Sequence, residues 1–163
     1  MVEPSLVQLP SFTVYGVSHF GDYHDIQQNF YVLQNYLTSH KLLDKVDSFF
    51  GLYQQGACTT DINHCQFDAC VTFKHRLKTD IALQHISMAN GIYLHYQHIA
   101  PHQDITQSYQ MLYLDWLPKQ DYQINTQLPA FEQYQSNPAT TMSTKLITDI
   151  YIPILTFHKN NDK

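Results

Sequence analysis

At 163 residues, 44% hydrophobic and 14% charged, the chain is long enough to bury one core or two small fused halves. So few charges exclude a solvated, disordered polymer. A net charge of −5, with nine Lys and Arg in all and Arg76 the single arginine, leaves no basic surface to neutralise phosphates, so direct DNA or RNA binding is not expected.

Residues 7–18 alternate loosely and are rich in β-formers, and Pro10 near their start predicts a strand edge or bulge. His19-Phe20-Gly21-Asp22-Tyr23-His24 reads as a loop, with Asp25 placed to cap the next helix. Ile26, Phe30, Leu33 and Leu37 carry the spacing of one helical face, and the helix is expected to end near His40. Residues 46–54 read as a strand, 56–64 as a polar loop and 66–73 as another alternating strand. Residues 74–87 read as the join between halves, either a short helix or an extended linker.

The pattern then restarts. Residues 91–98 read as a strand, and Asp104 stands before a helix carrying Tyr109, Leu112, Tyr113 and Trp116 at i, i+3, i+4 and i+7, closed by Pro118. Residues 128–134 form a short strand, Asn137-Pro138 begins a turn and residues 144–154 form the last strand. At an offset of 79, His19 falls on His98, Asp25 on Asp104, Ile26 on Ile105, Phe30 on Tyr109 and Leu33 on Leu112. Two residues of slip place Phe50 on Phe131 and Tyr53 on Tyr134. The expected fold is therefore α+β: two strand–helix–strand–strand repeats, about 3–74 and 88–155, forming a mostly antiparallel sheet. Both helices belong on one face, and the meeting of the halves is the natural ligand groove.

Strand alternation puts Glu132 and Tyr134 on one face with Ala130, and Phe131 and Gln133 on the other. A carboxylate beside a ring is what a pocket for a lipophilic cation needs, and also what a solvated edge strand looks like. An unpaired buried carboxylate tends to take up a proton. Tyr109, Tyr113 and Trp116 make an aromatic stripe that suits a core as well as a pocket.

Other chemistries find less support. His95, His98 and His102, or Cys58, His64, Cys65 and Cys70, invite a metal, but there is no C-x-x-C, so no metal or other cofactor is expected. Cys70 reads as a small buried hydrophobe. With five glycines there is no Gly-x-Ser-x-Gly and no phosphate-cradling loop. The three cysteines are odd in number and clustered, and Met1-Val2-Glu3-Pro4 lacks the basic start and apolar run of a signal peptide. No segment approaches the ~18 apolar residues of a membrane helix. The expected location is the cytoplasm.

Five motifs in order resemble the GyrI-like domain, a small-molecule-sensing module of some bacterial transcription activators that also occurs alone. They are His19-Phe20-Gly21-Asp22-Tyr23, then Cys65-Gln66-Phe67-Asp68-Ala69-Cys70, and the helix Tyr109 to Pro118 with Leu112-Tyr113 and Trp116-Leu117-Pro118. Pro129-Ala130-Phe131-Glu132-Gln133-Tyr134 with Asn137-Pro138, and Thr148-Asp149-Ile150-Tyr151-Ile152-Pro153-Ile154, complete the set. The sequence departs from the family pattern in the second loop, where Ala100 and His102 replace Gly and Tyr, and at Gln66, where a basic partner for Asp68 is usual.

The resemblance implies a standalone binding domain without a DNA-binding helix-turn-helix, monomeric or weakly dimeric. It would hold a lipophilic, cationic or aromatic ligand between Glu132, which supplies charge, and walls from Tyr134, Trp116, Tyr113, Tyr53 and Phe50. At the first-half position equivalent to Glu132 stands Gly51. The resemblance also implies two alternatives: contact with DNA gyrase or another protein as an inhibitor, and hydrolysis with Glu132 as general base.

Overall fold

Alternating, β-branched and aromatic segments pair antiparallel throughout one nine-stranded sheet. The computed structural model describes residues 2–20, 26–54 and 66–156. In chain order the elements are β1 (Ser5–Leu9), β2 (Phe12–Phe20), α1 (Ile26–Ser39), β3 (Val46–Tyr53) and β4 (Gln66–Phe73), then β5 (Gln84–Met88), β6 (Gly91–His98), α2 (Ile105–Gln110), β7 (Tyr122–Ile124), β8 (Ala130–Tyr134) and β9 (Thr148–Thr156). The sheet order is β1-β6-β9-β8-β3-β4-β2-β5, with β7 added to β9. The architecture is the α+β one expected. The loop at 56–64, the Asp25 cap, Cys58 and Cys65 lie outside the described residues.

The segment expected as one strand at 7–18 is two, broken at Pro10-Ser11. Proline has a fixed φ and no N–H to give a ladder, so the chain turns there. β1 pairs with β6, while β2 pairs with β4 and β5, yet the register runs on across the corner: Leu9 lies opposite Gly91 and Phe12 opposite Met88. The join at 74–87 contains no helix. It ends in β5, which completes that corner.

Two ends of the sheet are thus tied together, and the sheet curls. Inside the curl lie Val14, Phe50, Leu52, Cys70, Met88, Tyr93 and Phe131, with the Phe12 ring 5.5 Å from Phe50 and 6.0 Å from Phe131.

Both helices cover the opposite face. α1 buries Ile26, Phe30, Leu33 and Leu37 on Phe67, Ala69, Val71 and Tyr134. Burial of that kind contributes roughly 1.5–3 kcal/mol for each large apolar side chain. α2 sets Ile105 and Leu112 against Leu94, Ile150, Ile152 and Ile154. The second helix is shorter than its periodicity suggests. After Gln110 it widens into a π turn over Met111–Trp116 and closes as a 3₁₀ turn through Pro118. The last strand also starts later than residue 144, because Ser143–Lys145 form a 3₁₀ turn before Thr148.

Candidate functional site

The centre of the sheet is the contact between β3 and β8, and there Gly51 lies directly across from Glu132. Alternation turns Ala130, Glu132 and Tyr134 toward the helices, together with Gly51 and Tyr53 of the neighbouring strand. Glu132 is wholly buried, at 0% exposure. Its carboxylate accepts hydrogen bonds from three phenols: Tyr134 at 2.6 Å on Oε2, and Tyr53 and Tyr109 at 2.9 Å each on Oε1. His102 Nε2 stands 3.2 Å from Oε2. Each oxygen therefore has two partners, one of them from the α2 side of the site.

The absent side chain at Gly51 makes this geometry possible. A Cβ there would collide with the Tyr134 hydroxyl and come within 2.7 Å of the Phe67 ring. Glycine is required by that close approach, since its strand conformation suits any residue.

Burial alone pushes the Glu132 carboxyl up, as expected for an unpaired acid. It is not unpaired, however. The His102 contact and the Tyr134 and Tyr109 hydrogen bonds outweigh desolvation and hold the acid below the usual value of 4.5. The condition for proton uptake, an unpaired carboxylate, is thus not met here. Burial first, then the charge of Glu132, raises the Tyr109 and Tyr134 phenols well above 10, so both remain donors.

A folded-state value below the unfolded one stabilises the fold in full above the unfolded glutamate range and progressively less as pH falls through the folded value. Urea unfolding across about pH 7 to 3 is therefore expected to show an acid-side loss of stability that is smaller in Glu132→Gln. An identical acid limb in both proteins would refute the pairing.

Of the other expected wall residues, Tyr53 is in the site. Its ring lies 6.3 Å from that of Tyr109, and Tyr109 stacks on Tyr113. Trp116 is placed instead against Tyr122 of β7, within the α2 cluster. It ends the π turn, where the spacing of an ideal α-helix no longer applies. Phe50 requires correction. It points into the curl on the opposite face and packs on Phe12 and Phe131, because residues three apart on a strand cannot share a face with Tyr53.

Two bonding residues, Tyr109 and His102, lie outside the expected site set: in the sequence Tyr109 is one ring of the helix stripe, and His102 a departure in a loop and a member of a histidine group.

The histidines that invited a metal are each engaged separately. His98 Nε2 donates to the Pro101 carbonyl at 3.1 Å and its Nδ1 meets Ser108 Oγ at 2.8 Å. His95 Nε2 meets Asp149 at 2.8 Å, where Gln97 and Gln135 also donate. On the same sheet face, buried Asp68 accepts from Ser18 and Gln54 at 2.6 Å and from Gln66 at 3.0 Å. Gln66 thus serves Asp68 as a neutral donor where a charged partner is usual. Cys70 is buried, and burial pushes its thiol up. Among the described residues no helix is long and apolar enough to cross a membrane.

Comparison with solved structures finds the same fold elsewhere. The chain is similar to EcmrR in its DNA complex, with a TM-score of 0.70 and 14% identity, covering 96% of this chain and 58% of that one. It therefore spans a little over half of EcmrR. It is similar to SAV2435 bound to tetraphenylphosphonium, with a TM-score of 0.62 and 16% identity, covering 98% of each chain. A hydrolase of Listeria innocua gives a TM-score of 0.59 at 12% identity, covering 94% of this chain and 92% of that one. At these identities the likeness is one of fold. No curated protein matches the chain. Residues 2–155 match the GyrI-like small molecule binding domain, and the chain belongs to that family.

Proposed function

We propose that the protein binds lipophilic organic cations at Glu132, as a sensor or sequestering domain. The observation that carries this reading is a fully buried carboxylate whose partners are three phenols and one imidazole. No lysine or arginine is bonded to it among the described residues. Hydroxyl groups on rings are replaceable partners: when they swing aside, the same rings present faces worth ~0.5–2 kcal/mol each to a cation. A lipophilic cation loses little hydration on entering, and the charge it meets is undiluted by water.

Access requires Tyr109 to leave Oε1. That residue sits on the six-residue α2, immediately before the π turn, where the helical hydrogen-bond ladder is already irregular.

The frame of the site supports a second element of the reading, a duplication with halves at about 3–74 and 88–155. From the β3–β8 contact the strand order is β4-β2-β5 to one side and β9-β6-β1 to the other. Phe30 packs on Tyr134 much as Tyr109 packs on Tyr53, and buried Asp68 has its counterpart in Asp149. In this frame Glu132 and Tyr109 carry the polar groups where Gly51 and Phe30 carry none, and the ligand lies in the groove between the halves.

The relative that holds tetraphenylphosphonium supports the ligand class, and the likeness to EcmrR, seen in complex with DNA, is compatible with a regulatory use of that binding. Titrating the protein with tetraphenylphosphonium, followed by calorimetry and by emission of the single Trp116, is expected to give saturable binding. Glu132→Gln should weaken it about 100-fold, the scale on which a buried charge pair is lost. Equal binding by the variant would defeat the proposal.

The hydrolase reading asks Glu132 to act as a base, and a carboxyl held below its usual value by His102, Tyr134 and Tyr109 is a weak one. Ester turnover that vanishes in Glu132→Gln would restore it. A role at gyrase by protein contact would instead appear as binding to gyrase that is indifferent to this substitution.

A further inference from the structure

We propose that His102 is the internal counter-ion of Glu132, and that a cationic ligand binds by displacing its charge, releasing one proton per cation bound. The inference rests on the cation-binding reading above and adds to it the exchange by which the site admits its ligand.

The geometry is specific to one residue. His102 is 7% exposed and Glu132 0%, with Nε2 3.2 Å from Oε2. The other groups facing Glu132 are the phenols of Tyr53, Tyr109 and Tyr134, which are neutral donors. Around His102 itself, Asp104 is half-buried beside it, and Lys145 is exposed on the turn that packs against residues 102–104. His98 has both ring nitrogens occupied by Ser108 and the Pro101 carbonyl. His102 is therefore the one described side chain bonded to Glu132 that carries a positive charge in one protonation state and none in the other. It is also the residue that breaks the loop pattern of the first half, where Tyr23 stands in the equivalent place.

An organic cation and an imidazolium cannot both sit at one carboxylate buried in low dielectric, because each repels the other. The exchange balances simply. Imidazolium, carboxylate and free cation give neutral imidazole, the same carboxylate paired with the bound cation, and a proton passed to buffer. No covalent bond other than N–H breaks. Affinity should then rise with pH, by up to tenfold per unit wherever one proton is released per cation bound, and stay flat where none is released. The site would thus favour permanently charged cations as pH rises. Phosphonium and quaternary ammonium compounds fit, since they cannot answer a change of pH by losing their own charge.

The test is calorimetric titration with tetraphenylphosphonium between about pH 5.5 and 8, in buffers of differing ionisation enthalpy. Wild type is expected to release about one proton per cation at the acidic end, and His102→Gln and His102→Asn none, with affinity independent of pH. Tetraphenylphosphonium binding by wild type without proton release would overturn the exchange and leave the cation-binding reading intact. If wild type binds no tetraphenylphosphonium at any pH, the binding reading fails, and the exchange with it. The pair itself is tested without ligand, by a double-mutant cycle of Glu132→Gln and His102→Gln in urea unfolding, where the two are expected to couple and strict additivity would also overturn the proposal.

Discussion

Replacing Glu132 with alanine is expected to cost the folded state about 3–5 kcal/mol, the range found when one partner of a buried charged pair is removed. The loss comes less from the side chain itself than from what it abandons. Tyr53, Tyr109, Tyr134 and His102 all direct polar atoms at its oxygens, and Tyr134 and His102 are themselves buried. Each donor left unsatisfied costs on the order of 1–3 kcal/mol, reduced where the ring can turn toward solvent. Glutamine keeps the shape and one acceptor oxygen, so Glu132→Gln should fall between alanine and wild type. Urea unfolding followed by circular dichroism gives the comparison. An alanine variant as stable as wild type would mean that the four contacts are not formed together in solution.

The second large effect belongs to a residue with no side chain. Gly51→Ala is expected to destabilise by about 2–4 kcal/mol, combining overpacking with loss of a charge-assisted hydrogen bond. Its Cβ would occupy the space of the Tyr134 hydroxyl and press on the Phe67 ring, in a fully buried part of the sheet. Backbone relief is limited because β3 is paired on both sides, with β4 and β8. A double-mutant cycle isolates the cause. In a Tyr134→Phe background the alanine should cost less, since the hydroxyl it strikes is gone, though the Phe67 contact remains. Strict additivity would show that the glycine is needed for some reason other than the approach of Tyr134 to Glu132. The same substitution should also weaken cation binding, as the carboxylate loses one of the donors that position it.

The elements that were legible from the sequence are those whose signal is local. The α1 face appears directly in Ile26, Phe30, Leu33 and Leu37, and those residues are buried. The β8 alternation likewise separates Glu132 and Tyr134 from Phe131 and Gln133. The match between the halves pairs Phe50 with Phe131 and Tyr53 with Tyr134, but alternation inside β3 turns Phe50 and Tyr53 opposite ways, so only Tyr53 reaches Glu132. The α2 stripe is legible only in part, because the helix widens after Gln110, where an ideal 3.6-residue period no longer holds, and the indole stacks on Tyr122.

By itself, then, the sequence determined the class of fold, the family, and the face on which a carboxylate and a tyrosine stand side by side. Those follow from periodicities of two and 3.6 residues and from motifs in order, all of which act over short separations. Only the tertiary structure decided that Gly51 lies across from Glu132, that Tyr109 and His102 reach the same two oxygens from beyond the sheet, and that β1 joins β6 to curl it. These contacts link residues tens of positions apart. They exist because the complete sheet, closed at its proline corner and covered by both helices, leaves a buried charge that had to find its partners there.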